Sequence, residues 1–238
     1  MKHEFIARCS SLGALMTNPR AKSETLSETA KKEIEKVVLF NKYGIEEDFS
    51  SKPTDKGIQN EPESIKIASD VLGWFDIPEK KTRLMNDWIT GEPDVYKSGV
   101  MVGDVKSSFS GLTFPWFEFD ECPNKAYFWQ MQGYLFLSGL YEAELVYVLT
   151  DTPEMMVLDM IQKAIWKMYA DPGYSDRTQS EIEEIAEQRV RSMHNFSHIP
   201  TEKRVRQYII KRDNDAIEQI KNRVDECRAY YDTIFNLI

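Results

Sequence analysis

The segment 90–108, TGEPDVYKSGVMVGDVKSS, constrains the fold more than any other part of the sequence. Two β-rich runs flank the turn sequence KSG at 97–99, and this arrangement predicts a β-hairpin. Strand propensity accounts for the valines, but it does not account for Asp94, Asp104 and Lys106. The segment therefore predicts a pair of strands that carries charged groups at one end.

These charged groups converge if the hairpin forms. Asp104 and Lys106 are separated by one residue, so their side chains leave the same face of a strand, and Asp94 lies at the end of the neighbouring strand. Two carboxylates at short range repel each other unless a cation lies between them. Oxygen ligands select hard cations such as Mg²⁺ or Mn²⁺. Such a metal site can hydrolyse a phosphodiester, with a lysine orienting the attacking water or neutralising negative charge.

A plainer interpretation is that Asp94 is a turn residue and that Asp104 and Lys106 form a solvated ion pair. Two further features favour a site. Glu61 lies on a predicted helix upstream, and Gln130 and Tyr134 lie one helical turn apart in the aromatic helix YFWQMQGYLFLSG. Polar groups in such a helix need partners, because each unsatisfied one costs about 1–3 kcal/mol.

The remaining pattern predicts an α/β fold with one mixed central sheet flanked by helices. Helices are expected at 27–44, from about 57 to 72 and at 124–140, with a loop at 48–58, a strand at AELVYVLTD, two helices and a basic strand in the last third, and a long C-terminal helix. We expect a single domain over 1–238, with its core at about 27–150 and a helical C-terminal extension at about 153–238.

Composition excludes few functions. The formal net charge of −9 does not exclude nucleic acid, because a local basic groove can lie on an acidic protein. No apolar run reaches the roughly 18 residues of a membrane-spanning helix, and the N-terminus has no secretory signal pattern. The scattered cysteines Cys9, Cys122 and Cys227 argue against a disulfide framework or a four-cysteine metal site. These features predict a protein of a reducing compartment, the cytoplasm.

The order Glu61, Pro93-Asp94, Asp104-x-Lys106 and Gln130-x-x-x-Tyr134 resembles the PD-(D/E)xK nuclease superfamily. Within that superfamily the chain resembles the lambda-exonuclease, or YqaJ-like, viral recombinase exonucleases, from about Arg8 to Leu149. The resemblance implies a restriction-endonuclease-like core. Many relatives carry Glu where this chain has Asp104, but the superfamily pattern admits both.

The resemblance also implies a role for each matching residue. Asp94, Asp104 and the Val105 carbonyl would bind Mg²⁺, with Mn²⁺ as an alternative and two ions expected, and Glu61 would complete the metal site directly or through water. Lys106 would be the catalytic lysine. Gln130 would position Lys106 or the attacking water, and Tyr134 would support the same helix face.

The N-terminal sequence RCSSLGALM resembles the segment in which these exonucleases bind a terminal 5′ phosphate. Here that role would belong to Arg8 and Ser10. The alternative is that Ser10 or Ser11 caps a short helix. A pocket for a terminal phosphate would require a free DNA end, and the enzyme would then be an exonuclease.

The resemblance thus implies a Mg²⁺-dependent exonuclease that degrades linear double-stranded DNA from 5′ to 3′ in phage-type recombination. It further implies a homotrimer that works beside a single-strand annealing protein in the cytoplasm of a bacterial host. Two alternatives stay open. One is a RecB-like or restriction-type endonuclease with the same core, and the other is a catalytically silent DNA-binding module.

Three surface features have open interpretations. Lys80, Lys81 and Arg83 could contact the DNA backbone or form a solvated surface, whereas DNA contact is favoured for the cluster Lys203, Arg204, Arg206, Lys211 and Arg212. In the aromatic loop 109–120, Trp116, Phe117 and Phe119 could stack on bases, although packing against the core is the preferred interpretation.

Overall fold

The computed structural model describes residues 5–46, 51–76, 81–121 and 124–238. The helices in these ranges are α1 (Leu12–Leu15), α2 (Glu28–Tyr43), α3 (Lys52–Leu72), α4 (Lys125–Ser138), α5 (Glu154–Tyr169), α6 (Gln179–His194) and α7 (Asn214–Leu237). The strands are β1 (Ala7–Arg8), β2 (Leu84–Met85), β3 (Ile89–Gly91), β4 (Val95–Lys97), β5 (Met101–Ser107), β6 (Glu142–Val148) and β7 (Val205–Lys211). The expected mixed α/β fold is confirmed.

The strands form two sheets rather than the single sheet that was predicted. The larger sheet has the order β4-β5-β6-β7, in which β5 and β6 are parallel and the outer pairs are antiparallel. The smaller sheet has the order β1-β3-β2. The run MNDWITGEPDVY divides at Pro93, because proline has no N–H for a strand ladder, so β3 and β4 belong to different sheets.

The predicted hairpin is confirmed. Strands β4 and β5 pair antiparallel from Val95 opposite Gly103 to Lys97 opposite Met101. The turn is made at 98–100, where Gly99 has a φ of 70°, a left-handed conformation that glycine adopts without a steric penalty. The chain then crosses through α4 to the parallel strand β6, which places the carboxyl ends of β5 and β6 at the same edge of the sheet.

Helices cover both faces of the larger sheet. Helix α3 packs on one face, where Ala68 meets Val95, Val105 and Val146 in a small apolar cluster. Helix α4 packs on the other face and also contacts β3 of the smaller sheet. It belongs to the main core, which includes residues from α1, α2, β6 and α7. The two sheets therefore share α4, and this helix supplies the polar residues singled out in the sequence.

Helix α2 begins and ends where the sequence predicts, but α3 begins earlier. The Ser27 hydroxyl accepts a hydrogen bond from the Ala30 N–H, and Gly44 ends α2 with a φ of 67°. In contrast, α3 starts at Lys52 with Ser51 as its N-cap, so the predicted loop at 48–58 is wrong from 52 onward. A proline in the first helical turn is compatible with a helix, because the first N–H groups have no partner there. Residues 48–50 lie outside the described residues.

Residues outside 27–150 also contribute to the two sheets and to the main core. Strand β1 pairs with β3, β7 is an outer strand of the larger sheet, and α7 packs on α2. Helices α5 and α6 pack chiefly on each other, and their side chains supply the buried residues of two small apolar clusters. No helix among the described residues is long and apolar enough to cross a membrane.

Candidate active site

Asp104 is fixed in place by two side chains of α4. The Asp104 side chain is buried in β5, and its Oδ1 accepts a hydrogen bond of 3.1 Å from the Gln130 amide. The same amide donates to the Tyr134 hydroxyl at 3.0 Å, and that hydroxyl lies 3.4 Å from Asp104 Oδ1. The helical spacing of Gln130 and Tyr134 thus directs both groups at one carboxylate oxygen. We call Asp104, Lys106, Gln130 and Tyr134 the inner half of the site.

Lys106 faces the second oxygen of Asp104. Its ammonium forms an ion pair with Asp104 Oδ2 and lies 4.7 Å from the centre of the Tyr127 ring. Burial raises the pKa of Asp104, an effect that the positive charge of Lys106 opposes. Burial also lowers the pKa of Lys106, but the charge and hydrogen bond of Asp104, together with smaller effects of Tyr127 and Asp94, outweigh burial and raise that pKa above its usual value. Lys106 is therefore an ammonium ion that can neutralise negative charge.

A second, more exposed group lies beside the first. The Lys81 ammonium is 2.6 Å from Asp94 Oδ1 and 2.9 Å from Glu61 Oε2. The exposed fraction of the side chain is 9% for Asp94, 34% for Lys81 and 36% for Glu61. We call Glu61, Lys81 and Asp94 the outer half of the site. Burial lowers the pKa of Lys81, but its hydrogen bonds and charge interactions with Asp94 and Glu61 outweigh that effect and raise it.

The two halves meet at Val105. Asp94 directly precedes β4, and its Oδ2 accepts a hydrogen bond of 2.8 Å from the Val105 N–H. The last β4–β5 pair is Val95 opposite Gly103, so β4 does not extend as far as Val105. At Val105, the edge of β5 that pairs with β4 faces Asp94 instead of a strand. In an antiparallel ladder the N–H and C=O of one residue point to the same side of its strand. The Val105 carbonyl therefore points toward the side of Asp94.

The donor chemistry fits a divalent cation. Carboxylate and carbonyl oxygens from Asp94, Asp104 and Val105 are the ligands that Mg²⁺ and Mn²⁺ prefer. Asp104 Oδ2 is buried without a hydrogen bond of normal geometry, although Lys106 faces it. In the described ranges, no three His, Cys, Asp or Glu side chains are grouped closely enough to hold an ion together. The positive charges of this arrangement are the ammonium groups of Lys81 and Lys106.

The structure thus brings most of the predicted site residues together. The Gln130 amide donates to Asp104 and Tyr134, and Asp104 in turn is paired with Lys106. Its link to Lys106 runs through Asp104, and its role in positioning Lys106 or the attacking water stays a prediction. Glu61 is connected to the other carboxylates through Lys81.

Arg8 and Ser10 flank a cysteine that packs behind the site. Arg8 lies opposite Thr90 in the β1–β3 pair, and both Arg8 and Ser10 are exposed. Cys9 between them packs so closely that a Cβ added at Gly91 would lie 2.8 Å from its Sγ and 2.7 Å from a ring carbon of Tyr134. The N-terminal segment is therefore held against the wall of the inner half.

A cavity of about 460 Å³ opens beside this segment and is lined by Arg8, Ser11, Glu33, Lys36 and Thr90, among others. The Ser11 hydroxyl donates to Glu33 at 2.7 Å, and it makes no capping hydrogen bond to α1. Ser11 thus stands at the N-cap position of α1, but its side chain is bonded to Glu33 instead of capping the helix. Ser11, rather than Ser10, is the serine that lines this cavity.

Several basic residues have protein partners. Arg83 is paired with Glu92, and Lys80 lies outside the described residues. In the later cluster, the guanidinium groups of Arg204, Arg206 and Arg212 donate to main-chain carbonyls of the protein. These contacts hold β7 to the residues around it, a role that the sequence interpretation in terms of DNA contact did not include.

The aromatic loop after β5 is only partly packed. Trp116 packs on Phe114 and donates to the Gly111 carbonyl, as the packing interpretation expects. Phe117 and Phe119, in contrast, are 86% and 63% exposed. The packing interpretation is therefore wrong for these two rings, which lie on the loop that follows β5.

Lys81 and Tyr127 are the site residues whose roles sequence reasoning missed. Lys81 was considered only as a surface or DNA-contacting residue. The available signal was a count of charge, because three carboxylates and one lysine leave a surplus of negative charge that a further cation must offset. Tyr127 precedes Gln130 by three residues in α4. Both side chains therefore lie on the α4 surface that faces β5.

The fold matches known structures. A phage-related exonuclease from Haemophilus somnus 129PT superposes with a TM-score of 0.72 at 29% identity, over 98% of this chain and 96% of that chain. The chain is thus similar to the lambda-exonuclease-like nucleases in sequence and in fold. The match extends well beyond the N-terminal 60% or so in which the sequence resemblance was found, since it includes α5–α7.

A second lambda-exonuclease-like structure shares the fold. The alkaline exonuclease LHK-Exo from Laribacter hongkongensis superposes with a TM-score of 0.63 at 12% identity, over 98% of this chain and 90% of that chain. The structure of LHK-Exo in complex with dAMP matches equally well, with a TM-score of 0.63 at 13% identity. No family model and no curated protein matches the sequence.

Proposed function

We propose that this lambda-exonuclease-like chain is a metal-dependent DNA exonuclease that hydrolyses linear double-stranded DNA from 5′ to 3′. The observation that carries the proposal is the buried Asp104, held by Gln130 and Tyr134 beside Asp94 and Lys106. A surface ion pair does not need two buried hydrogen-bond donors of another element to fix it, whereas a metal ligand does. The likeness to a phage-related exonuclease supports the same reaction.

In this proposal Asp94, Asp104 and the Val105 carbonyl would hold Mg²⁺, or Mn²⁺. Glu61 would contribute directly or through water, and two ions are expected, as the family resemblance implies. A bound divalent ion supplies Lewis acidity toward the phosphoryl oxygen and lowers the pKa of a bound water. This is chemistry that no side chain of the site provides.

The side chains prepare the site for that chemistry. Gln130 and Tyr134 fix the orientation of Asp104, and the Val105 N–H fixes Asp94 against the same strand. Such positioning groups add to activity because they remove the need for reorganisation during the reaction. The Lys106 ammonium, on the same face of β5 as Asp104, stabilises negative charge that develops on the phosphate.

The preference for a DNA end is assigned to Arg8 and Ser10. Both side chains are exposed on the segment that packs behind Tyr134, so a 5′ phosphate bound there would lie near the scissile bond of the same strand. Arginine suits this role, because its guanidinium makes paired hydrogen bonds to phosphate oxygens.

The proposal also includes the setting in which the enzyme acts. A homotrimer around DNA and a single-strand annealing partner are what the family resemblance implies, and the phage-related neighbour supports a role in phage-type recombination. Sedimentation of the purified chain, alone and with linear DNA, measures the oligomeric state. A trimer supports this part of the proposal. A chain that stays monomeric with and without linear DNA, and still degrades that DNA, contradicts it.

Digestion of three substrates tests the proposed function. Linear duplex DNA with a 5′ phosphate, the same duplex without it and a covalently closed circle are incubated with the protein in Mg²⁺, and Lys106→Ala serves as the inactive control. We expect nucleotide release from the linear DNA, fastest with the 5′ phosphate, and an intact circle. Cutting of the circle would favour the endonuclease alternative, and binding without cleavage in Mg²⁺ or Mn²⁺ would favour the silent DNA-binding module.

A further inference from the structure

The Lys81 ammonium lies between the two carboxylates of the outer half. It is within hydrogen-bond distance of Asp94 Oδ1 and Glu61 Oε2, and the other Asp94 oxygen is bonded to Val105. Glu61 comes from α3 and Asp94 from the start of β4, so Lys81 joins two elements that the sheet ladder does not connect. The Lys81 ammonium thus bridges two carboxylates in the way that a bound cation would.

The charge balance shows what the bridge does. Glu61, Asp94 and Asp104 carry three negative charges, and Lys81 and Lys106 carry two positive charges. Without Lys81, two of the carboxylates would face each other with no cation between them. If a divalent ion binds while Lys81 stays, the ammonium and the metal ion repel each other across Asp94. The ammonium and the metal ion therefore compete for the same carboxylate.

We propose that Lys81 is a built-in competitor of the divalent ion: it bridges Glu61 and Asp94 in the metal-free protein and must leave Asp94 when the metal binds. Lys81 then sets the concentration of divalent ion at which the site fills. This inference rests on the metal site of the proposed function, and it assigns to a residue outside the superfamily motif the control of metal occupancy.

Lys81 is suited to leave, whereas Lys106 is not. The Lys81 side chain is 34% exposed and precedes the short strand β2, and its flexible aliphatic stem lets the ammonium move into solvent. Lys106 is less exposed, lies within β5 and is held over the Tyr127 ring. The two lysines therefore have different fates on metal binding, although each faces an aspartate.

The decisive experiment compares Mn²⁺ binding to the wild type, Lys81→Met and Lys97→Met by calorimetry in the absence of DNA. Lys97→Met is the matched control, because Lys97 is a lysine of similar exposure at the far end of β4, and its partner, Asp76, is not part of the site. We expect Lys81→Met to bind Mn²⁺ about tenfold more tightly than the wild type, since a competing charge of a partly exposed ion pair is removed. Lys97→Met should bind as the wild type does.

A thermal unfolding series gives a second readout that does not depend on activity. In EDTA, Lys81→Met should melt below the wild type, because Glu61 and Asp94 lose the cation between them. Saturating Mn²⁺ should raise its melting temperature by more than that of the wild type. Lys81→Gln keeps a hydrogen-bond donor without the charge, and it should show the same tighter binding if Lys81→Met does not fold.

The outcomes separate this inference from the proposed function. Mn²⁺ binding to Lys81→Met or Lys81→Gln that equals or is weaker than wild-type binding overturns the role of Lys81, even if the wild type binds the ion and degrades DNA. A wild type that binds no divalent ion and degrades no DNA overturns both. Tighter binding in the Lys81 variants, together with unchanged binding in Lys97→Met, establishes the competition.

Discussion

The inner and outer halves of the site are built by different means. Asp104 is buried, and its orientation is set by groups of β5 and α4 that also belong to the protein core. Glu61 and Lys81 are each about one-third exposed, and an ion pair is what joins them to Asp94. Packing thus fixes one carboxylate before any ligand arrives, whereas the other part of the site is arranged around a cation. Substitutions in the inner half should therefore lower the rate even at saturating metal, whereas those at Glu61 and Lys81 should mainly change the metal concentration that the site needs.

Asp104→Asn should have the largest effect. It keeps the shape of the side chain but removes the negative charge of a proposed metal ligand, so DNA hydrolysis should fall about 10³-fold or more. Nucleotide release from linear duplex DNA at saturating Mg²⁺ measures the change. Asp70→Asn, at an exposed ion pair on α3, is the control and should be fully active. Activity of Asp104→Asn within tenfold of the wild type would show that the inner half does not carry the reaction.

Gln130→Ala should come next. It leaves Asp104 without its amide donor, and loss of such a positioning group typically costs about 10- to 100-fold in activity. Because Gln130 is buried, we also expect a loss of about 1–3 kcal/mol in the free energy of unfolding. The turnover rate at saturating Mg²⁺ and urea unfolding measure the two effects. Gln179→Ala on the exposed face of α6 should change neither. A stability loss without any loss of turnover would make Gln130 a structural residue only.

Glu61→Gln tests the outer half of the site. This change weakens the outer half, so about tenfold more Mg²⁺ should be needed for half-maximal activity, while the maximal rate changes little. A Mg²⁺ titration of the cleavage rate checks this, with the exposed Glu63→Gln as the control. If Glu61→Gln instead abolishes the maximal rate as Asp104→Asn does, the two halves are equivalent and the distinction drawn here is wrong.

Arg8→Ala should have the smallest effect on general activity. The rate on DNA with a 5′ hydroxyl should stay nearly unchanged, whereas the preference for a 5′ phosphate should fall about tenfold, in line with the loss of a charge-assisted hydrogen bond. The ratio of the two initial rates is the quantity to measure, and the exposed Arg20→Ala is the control. An equal loss on both substrates would place Arg8 in general DNA binding rather than end recognition.

The parts of the fold and the site that sequence could predict depend on local signals. The hairpin follows from two β-rich runs around Gly99, α4 is bounded by Asn124 and Gly139, and the facing of Asp104 and Lys106 follows from strand periodicity. These features need only neighbours in the sequence.

What could not be predicted depends on tertiary packing. The division of β3 and β4 between two sheets and the pairing of β1 with β3 are non-local, and residue patterns do not specify them. Lys81 reaches Glu61 and Asp94 only because the fold brings three separate segments together. The early start of α3 was missed for another reason: a proline and a glycine were counted as helix breakers without regard to their position in the first turns.

A crystal of the protein grown or soaked in Mn²⁺, with anomalous diffraction recorded at the manganese edge, tests the central claim most directly. We expect a manganese peak bonded to carboxylate oxygens of Asp94 and Asp104 and to the Val105 carbonyl, with the Lys81 ammonium moved away from Asp94. A crystal at a Mn²⁺ concentration that supports cleavage, with no peak between these residues and Lys81 still bridging Glu61 and Asp94, would contradict it.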